Sequence, residues 1–141
     1  MAISFFTEDL KFTLTEKAKR KRWLKSIASQ EGFSINELSF VFCSDEYLHN
    51  MNVNYLNHDT LTDIITFDNS EKTEIIEGDV FISVDRVKEN AIENKVKEIT
   101  EFSRVISHGL FHLCGYKDKS KEEAKLMREK EEYAIKLFES L

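Results

Sequence analysis

The chain has 141 residues and a formal net charge of −6, with 41% hydrophobic, 11% aromatic and 33% charged residues. That is enough apolar material for a single packed domain, residues 1–141, burying roughly 68% of its unfolded surface. With 4 Gly, 0 Pro and 2 Cys, the collagen-like, Pro-rich, Gly/Ser-linker and disulfide-framework classes are excluded, and no apolar run approaches the roughly 18 residues of a membrane span. Ile3–Phe6 reads as a short strand. Thr15 reads as the N-cap of a helix running to about Gln30, closed by Gly32, with Leu14, Ala18, Leu24, Ile27 and Ala28 as its apolar face. The rest of that helix carries Lys17, Lys19, Arg20, Lys21, Arg22 and Lys25, six cations in nine residues, which suit either a solvated face or contact with phosphates.

Leu38–Cys43 is a β-rich strand, and Ser44 caps a helix through about Asn54 with Leu48, Met51 and Tyr55 at helical spacing. Ile64–Phe67 and Gly78–Val84 form two further strands, joined by a polar connection at Asn69–Glu77. Helices follow at about Asp85–Asn94, Lys97–Cys114 and Lys121–Phe138, the last turning Leu126, Met127, Ala134, Leu137 and Phe138 inward. Strands mostly first and helices mostly last predict an α+β fold, a small mixed sheet of about four strands packed with about five helices. Cys43 and Cys114 stand in apolar stretches with no CxxC motif, and the N-terminal residues lack the pattern of a secretory leader, so a reducing, cytoplasmic setting is expected. His49 and His58 are given no role.

The run His108-Gly-Leu-Phe-His112-Leu-Cys-Gly115-Tyr-Lys-Asp118 carries the chemistry. Histidines four apart project from one helix face, so two imidazoles can hold one metal ion at the end of a central helix. Gly115 stops the helix, and the returning chain can bring Asp118 as a third ligand. Two neutral imidazoles and a carboxylate suit Zn²⁺ with a fourth position open to water, one ion per chain. The same set occurs in the facial triad of Fe(II) oxygenases, but those ligands usually come from separate strands, so zinc leads. The spacing also matches the metzincin proteases apart from two changes: Asp118 takes the third-ligand place, and Gly109 stands where they carry a catalytic Glu. Glycine cannot take a proton, which opposes peptide hydrolysis and leaves a zincin-like metallohydrolase as a weak alternative. Glycine inside a helix is also unfavourable by about 1 kcal/mol relative to Ala, so something is expected to approach the backbone at Gly109.

At these residues the chain resembles the YbeY family, bacterial rRNA maturation factors regarded as metal-dependent endoribonucleases. Its hallmark H-G-x-L-H-L-x-G-Y-D-H is followed closely by His108–Tyr116. An Asn-x-x-Tyr segment leading to Thr-(Asp/Asn)-Val-Leu-Ser-Phe resembles Asn52–Phe67, and Gly-Asp-(Ile/Val) resembles Gly78-Asp79-Val80. The similarity spans about residues 35–120. The family's third His falls at Asp118, its Asp at Lys117, and an Arg often found after its Tyr at Leu56. The resemblance implies a metal at His108, His112 and Asp118 and cleavage of single-stranded RNA, with Asp63, Arg104 and Lys117 as candidate catalytic residues. It implies ribosomal RNA and the ribosomal subunit as partners. The basic cluster at residues 17–25 supplies Lys17, Arg20 and Lys21 as the candidate contact, and the absence of a long apolar run leaves no membrane to expect. The alternative is a non-catalytic, zinc-containing ribosome-assembly factor.

Overall fold

In a computed structural model, which describes residues 2–56 and 62–141 (with the side chains of Tyr55 and Leu56 excluded), nine elements follow one another. They are β1 (Ala2–Thr7), α1 (Lys17–Gln30), β2 (Ser34–Cys43), α2 (Asp45–Leu56), β3 (Ile64–Asp68), β4 (Ile75–Ser83), α3 (Val84–Glu93), α4 (Glu98–Leu113) and α5 (Lys121–Ser140). The strands form one mixed sheet in the order β1-β2-β4-β3. The pairs β1–β2 and β2–β4 are parallel, and β3–β4 is antiparallel. The parallel pairs require crossovers, which α1 and the α2–β3 segment supply; the antiparallel pair needs only the short link 69–74.

Alternation along the strands builds two cores. From β4, Ile76, Val80 and Ile82 enter the main core with Leu38, Phe40 and Phe42 of β2, under α1, α4 and α5. Phe81 points to the other face, where Cys43, Leu48 and Ile65 pack with Met51 and Phe67 beneath α2. The central helix α4 contributes Phe102, Val105, Ile106, Leu110 and Phe111 to the main core. It lies so close to the sheet that a Cβ at Gly109 would stand 2.8 Å from Val80 Cγ1 and 3.1 Å from Ile64 Cδ1. The sheet is therefore what approaches the backbone there.

Several boundaries differ from the sequence reading. The N-cap of α1 is Glu16 at φ 56°, with no side-chain cap bond, rather than Thr15. The Thr15 carbonyl instead accepts a bond from Arg20 Nε at 3.0 Å. The buried face of α1 is Arg20, Trp23, Leu24, Ile27 and Ala28; Ala18 is exposed, because 3.6-residue periodicity places Trp23 where contact with α5 is made. Trp23 Nε1 donates to the Ala134 carbonyl at 2.8 Å. On α5, Leu126 is exposed and the buried stripe is Met127, Glu131, Ala134, Ile135 and Phe138. Strand β4 stops at Ser83, whose hydroxyl accepts from Arg86 N and starts α3 at Val84. Ser44 does act as a cap, its hydroxyl accepting from Tyr47 N at 3.1 Å. The side-chain readings for Tyr55 and Leu56, and His58, lie outside the described residues.

Candidate metal centre

Helix α4 ends as the sequence requires. Gly115 adopts φ +99°, and the amides of Gly115 and Tyr116 bond back to the carbonyls of His112 and Phe111, both at 3.0 Å. Such a left-handed stop is open to glycine at no steric cost. The chain then returns past the helix end, and Asp118 Oδ2 comes to 3.3 Å from His108 Nε2 and 3.6 Å from His112 Nε2. The two imidazoles stand 4.5 Å apart, nearly perpendicular. Donor atoms of all three residues lie within 4.8 Å of one another. A tetrahedral ion with bonds near 2.0–2.2 Å would set neighbouring donors about 3.3–3.6 Å apart. The donor set suits such an ion in chemistry, and both Asp118–imidazole distances match its spacing.

The far nitrogens are fixed as well. His108 Nδ1 lies 2.5 Å from Glu131 Oε2, and Glu131 is only 6% exposed. His112 Nδ1 donates to the Tyr116 carbonyl at 2.9 Å. With each Nδ1 proton engaged in this way, an ion placed between these residues would meet an Nε2 lone pair from each ring. Tyr116 is anchored in turn, its hydroxyl donating to Glu31 Oε1 at 2.6 Å while Lys130 Nζ donates to Glu31 Oε2 at 2.8 Å. Burial opposes charge on His108, but Glu131, then Asp118 and Asp63, outweigh it and raise its pKa.

These groups open onto a cavity of about 550 Å³, walled by β3, α3, α4 and α5. Asp63, just before β3, lines it, and burial pushes its carboxyl pKa up. Glu101, two turns before His108, also lines it, and burial again raises its pKa.

The candidate residues from the sequence divide as follows. His108, His112 and Asp118 come together, and Asp63 shares their cavity. Arg104 reaches the cavity but is held by carboxylates: NH1 to Glu131 at 3.2 Å, NH2 to Glu132 at 2.6 Å, and Nε 3.7 Å from Glu101. Lys117 is exposed beside Asp118. Arg20 is not a surface cation. It is 1% exposed, donates to Thr15 O and Ser103 Oγ, and lies over the Phe138 ring. Cys114 packs against the main core as expected, and burial pushes its thiol up to about 12. Sequence reasoning missed Glu131 and Glu101. The available signal was helical phase: Glu131 falls on the Met127–Ala134–Phe138 stripe, and Glu101 lies seven residues before His108 on its face.

Residues 3–139 match the family model described as Endoribonuclease YbeY. The chain belongs to the YbeY family. Among its relatives, the Endoribonuclease YbeY of Cytophaga hutchinsonii is 52% identical over 96% of this chain and 94% of its own. That of Flavobacterium johnsoniae is 47% identical over 94% of this chain and 95% of its own. A solution structure, TM1509 from Thermotoga maritima, superposes with a TM-score of 0.68 at 23% identity, covering 97% of this chain and 89% of the other. That likeness concerns the fold.

Proposed function

We propose that the protein is a metal-dependent endoribonuclease that cleaves single-stranded RNA during rRNA maturation, with one Zn²⁺ held by His108, His112 and Asp118. The observation that carries this reading is the convergence of two imidazoles and a carboxylate, their donor atoms within 4.8 Å of one another, on the lining of a polar cavity, in a member of an endoribonuclease family. A divalent cation bound there supplies Lewis acidity to a phosphoryl oxygen and to water. Glu131 and the Tyr116 carbonyl engage both Nδ1 atoms and turn both Nε2 atoms inward. Asp63 is the candidate proton acceptor, since a carboxyl whose pKa burial has raised takes a proton more readily near neutral pH. We assign Arg104 to holding Glu131 in place rather than to phosphate, and exposed Lys117, next to Asp118 in the chain, to phosphate. Metal loading, followed by cleavage of single-stranded RNA beside a chelator-treated sample, tests the reading; tight RNA binding without cleavage supports the non-catalytic assembly factor instead.

Contact with ribosomal RNA is assigned to the exposed cations of α1, Lys17, Lys21, Arg22 and Lys25, with buried Arg20 removed from the set. Charge reversal at Lys17 and Lys21 is expected to weaken RNA binding and flatten its salt dependence by about two phosphate contacts. An unchanged slope removes α1 from the interface. A cytoplasmic location accords with this substrate, and no described helix is long and apolar enough to cross a membrane.

A further inference from the structure

The cavity at His108 continues along α4. Glu101 lies two helical turns before His108, about 10.5 Å away by helical rise, and shares this wall with Asn90 and Asn94 of the α3 end. Glu101 is 4% exposed, and its Oε1 has no hydrogen-bond donor among the described residues. Arg104 Nε, 3.7 Å away, is beyond hydrogen-bond reach, and the other nitrogens of that guanidinium donate to Glu131 and Glu132. That oxygen is closed off in this rotamer, so a ligand donor meets it only when the carboxylate turns to the cavity that Glu101 lines. An acceptor left without a donor is costly to keep and gains from such a turn. The surrounding charge excludes phosphate as that ligand. Asp63, Glu93, Glu101 and Glu131 line the cavity against Arg104 and Arg128, and Arg104 is already paired.

We propose that this end of the cavity is a nucleobase subsite in which the Glu101 carboxylate accepts from the N1–H and N2–H₂ edge of a guanine adjoining the cleaved phosphate. The proposal rests on the ribonuclease reading above. With the phosphate at the His108–His112–Asp118 site, the two-turn offset suits the base edge, which lies further from the phosphate than the ribose hydroxyl does. Splayed single-stranded bases are read on this edge by side chains. Guanine alone presents two adjacent donors there. Adenine and cytosine pair one donor with an acceptor, and the single donor of uracil is flanked by two oxygens that repel a carboxylate. The last torsion of glutamate is soft and roughly two-fold, so either carboxylate oxygen can be turned to the base.

The test is equilibrium binding of short single-stranded RNAs to the metal-loaded full chain, with one position carrying guanosine, inosine, uridine or 2′-deoxyguanosine. Guanosine is expected to bind about tenfold more tightly than uridine, within the range of a bidentate base contact. Inosine, lacking the 2-amino group, should fall between. Glu101→Gln should level the series while keeping its metal affinity. If that variant melts early, the inosine substitution makes the same comparison on the unaltered protein. Equal binding of all bases, or a preference that survives Glu101→Gln, overturns the subsite. A larger loss with 2′-deoxyguanosine than with inosine moves the contact to the ribose and overturns it also. Cleavage without base preference counts against the subsite alone; failure to bind or cleave any of the RNAs overturns the ribonuclease reading and the subsite with it.

Discussion

Replacing Glu131 probes the centre without touching a proposed ligand. Its two oxygens have separate tasks: Oε1 accepts from Arg104 NH1 at 3.2 Å, and Oε2 meets His108 Nδ1 at 2.5 Å. In Glu131→Gln the amide oxygen can serve only one of them. If it stays with the guanidinium, which can only donate, the NH₂ faces Nδ1, moves the imidazole proton to Nε2, and blocks the nitrogen turned toward Asp118. A charge-assisted bond between groups this buried contributes about 1.5–3 kcal/mol. Metal affinity should therefore fall about 10- to 100-fold, the range usual for groups behind a metal ligand. Glu131→Ala leaves Nδ1 free to recruit water, so the isosteric Gln variant should lose at least as much as Ala. Competition against a chromophoric chelator reads both, with apo-protein melting as the control for folding. Gln at wild-type affinity, or Ala clearly weaker than Gln, refutes the tautomer argument.

Two further substitutions test the frame around the centre. Gly109→Ala gains about 1 kcal/mol of helix propensity but drives a methyl into Val80 and Ile64, an overpacking that costs about 1–3 kcal/mol. Urea unfolding should show a net loss near 1 kcal/mol; a more stable variant contradicts the close approach. At Glu31, burial opposes the charge, yet bonds from Lys130 and Tyr116 prevail and hold its pKa below the ordinary carboxylate range. A lowered folded-state pKa stabilises the protein above that range, and the contribution disappears as pH falls through the lowered value. Glu31→Gln should accordingly cost about 1 kcal/mol, or about 3 °C in Tm, at neutral pH and little in acid. A difference that persists in acid indicates lost packing rather than lost charge.

The proposed ligands were legible because they come from one helix and its exit, within eleven consecutive residues. Periodicity places His108 and His112 together, and a glycine able to adopt φ > 0 returns the chain to Asp118. Glu131 comes from another helix, 23 residues from His108, and nothing local in its charged surroundings pairs the two. Its phase on α5 alone set it apart. Arg20 was misjudged for the related reason that contiguous charges hide helical phase, and three residues on, Trp23 marks the buried side. The helix and strand types follow from local patterning. The order β1-β2-β4-β3 does not, because strand neighbours are chosen by crossover connections and by which faces α1, α2 and α4 must cover.

Cleavage of a labelled single-stranded RNA by metal-loaded protein, beside chelator-treated protein and the His112→Ala and Asp118→Ala variants, decides whether an ion at this centre carries the reaction. Endonucleolytic products are expected from the loaded protein, and loss of metal and cleavage together in the other three. Full cleavage by the chelator-treated protein or by either variant contradicts that role for the ion.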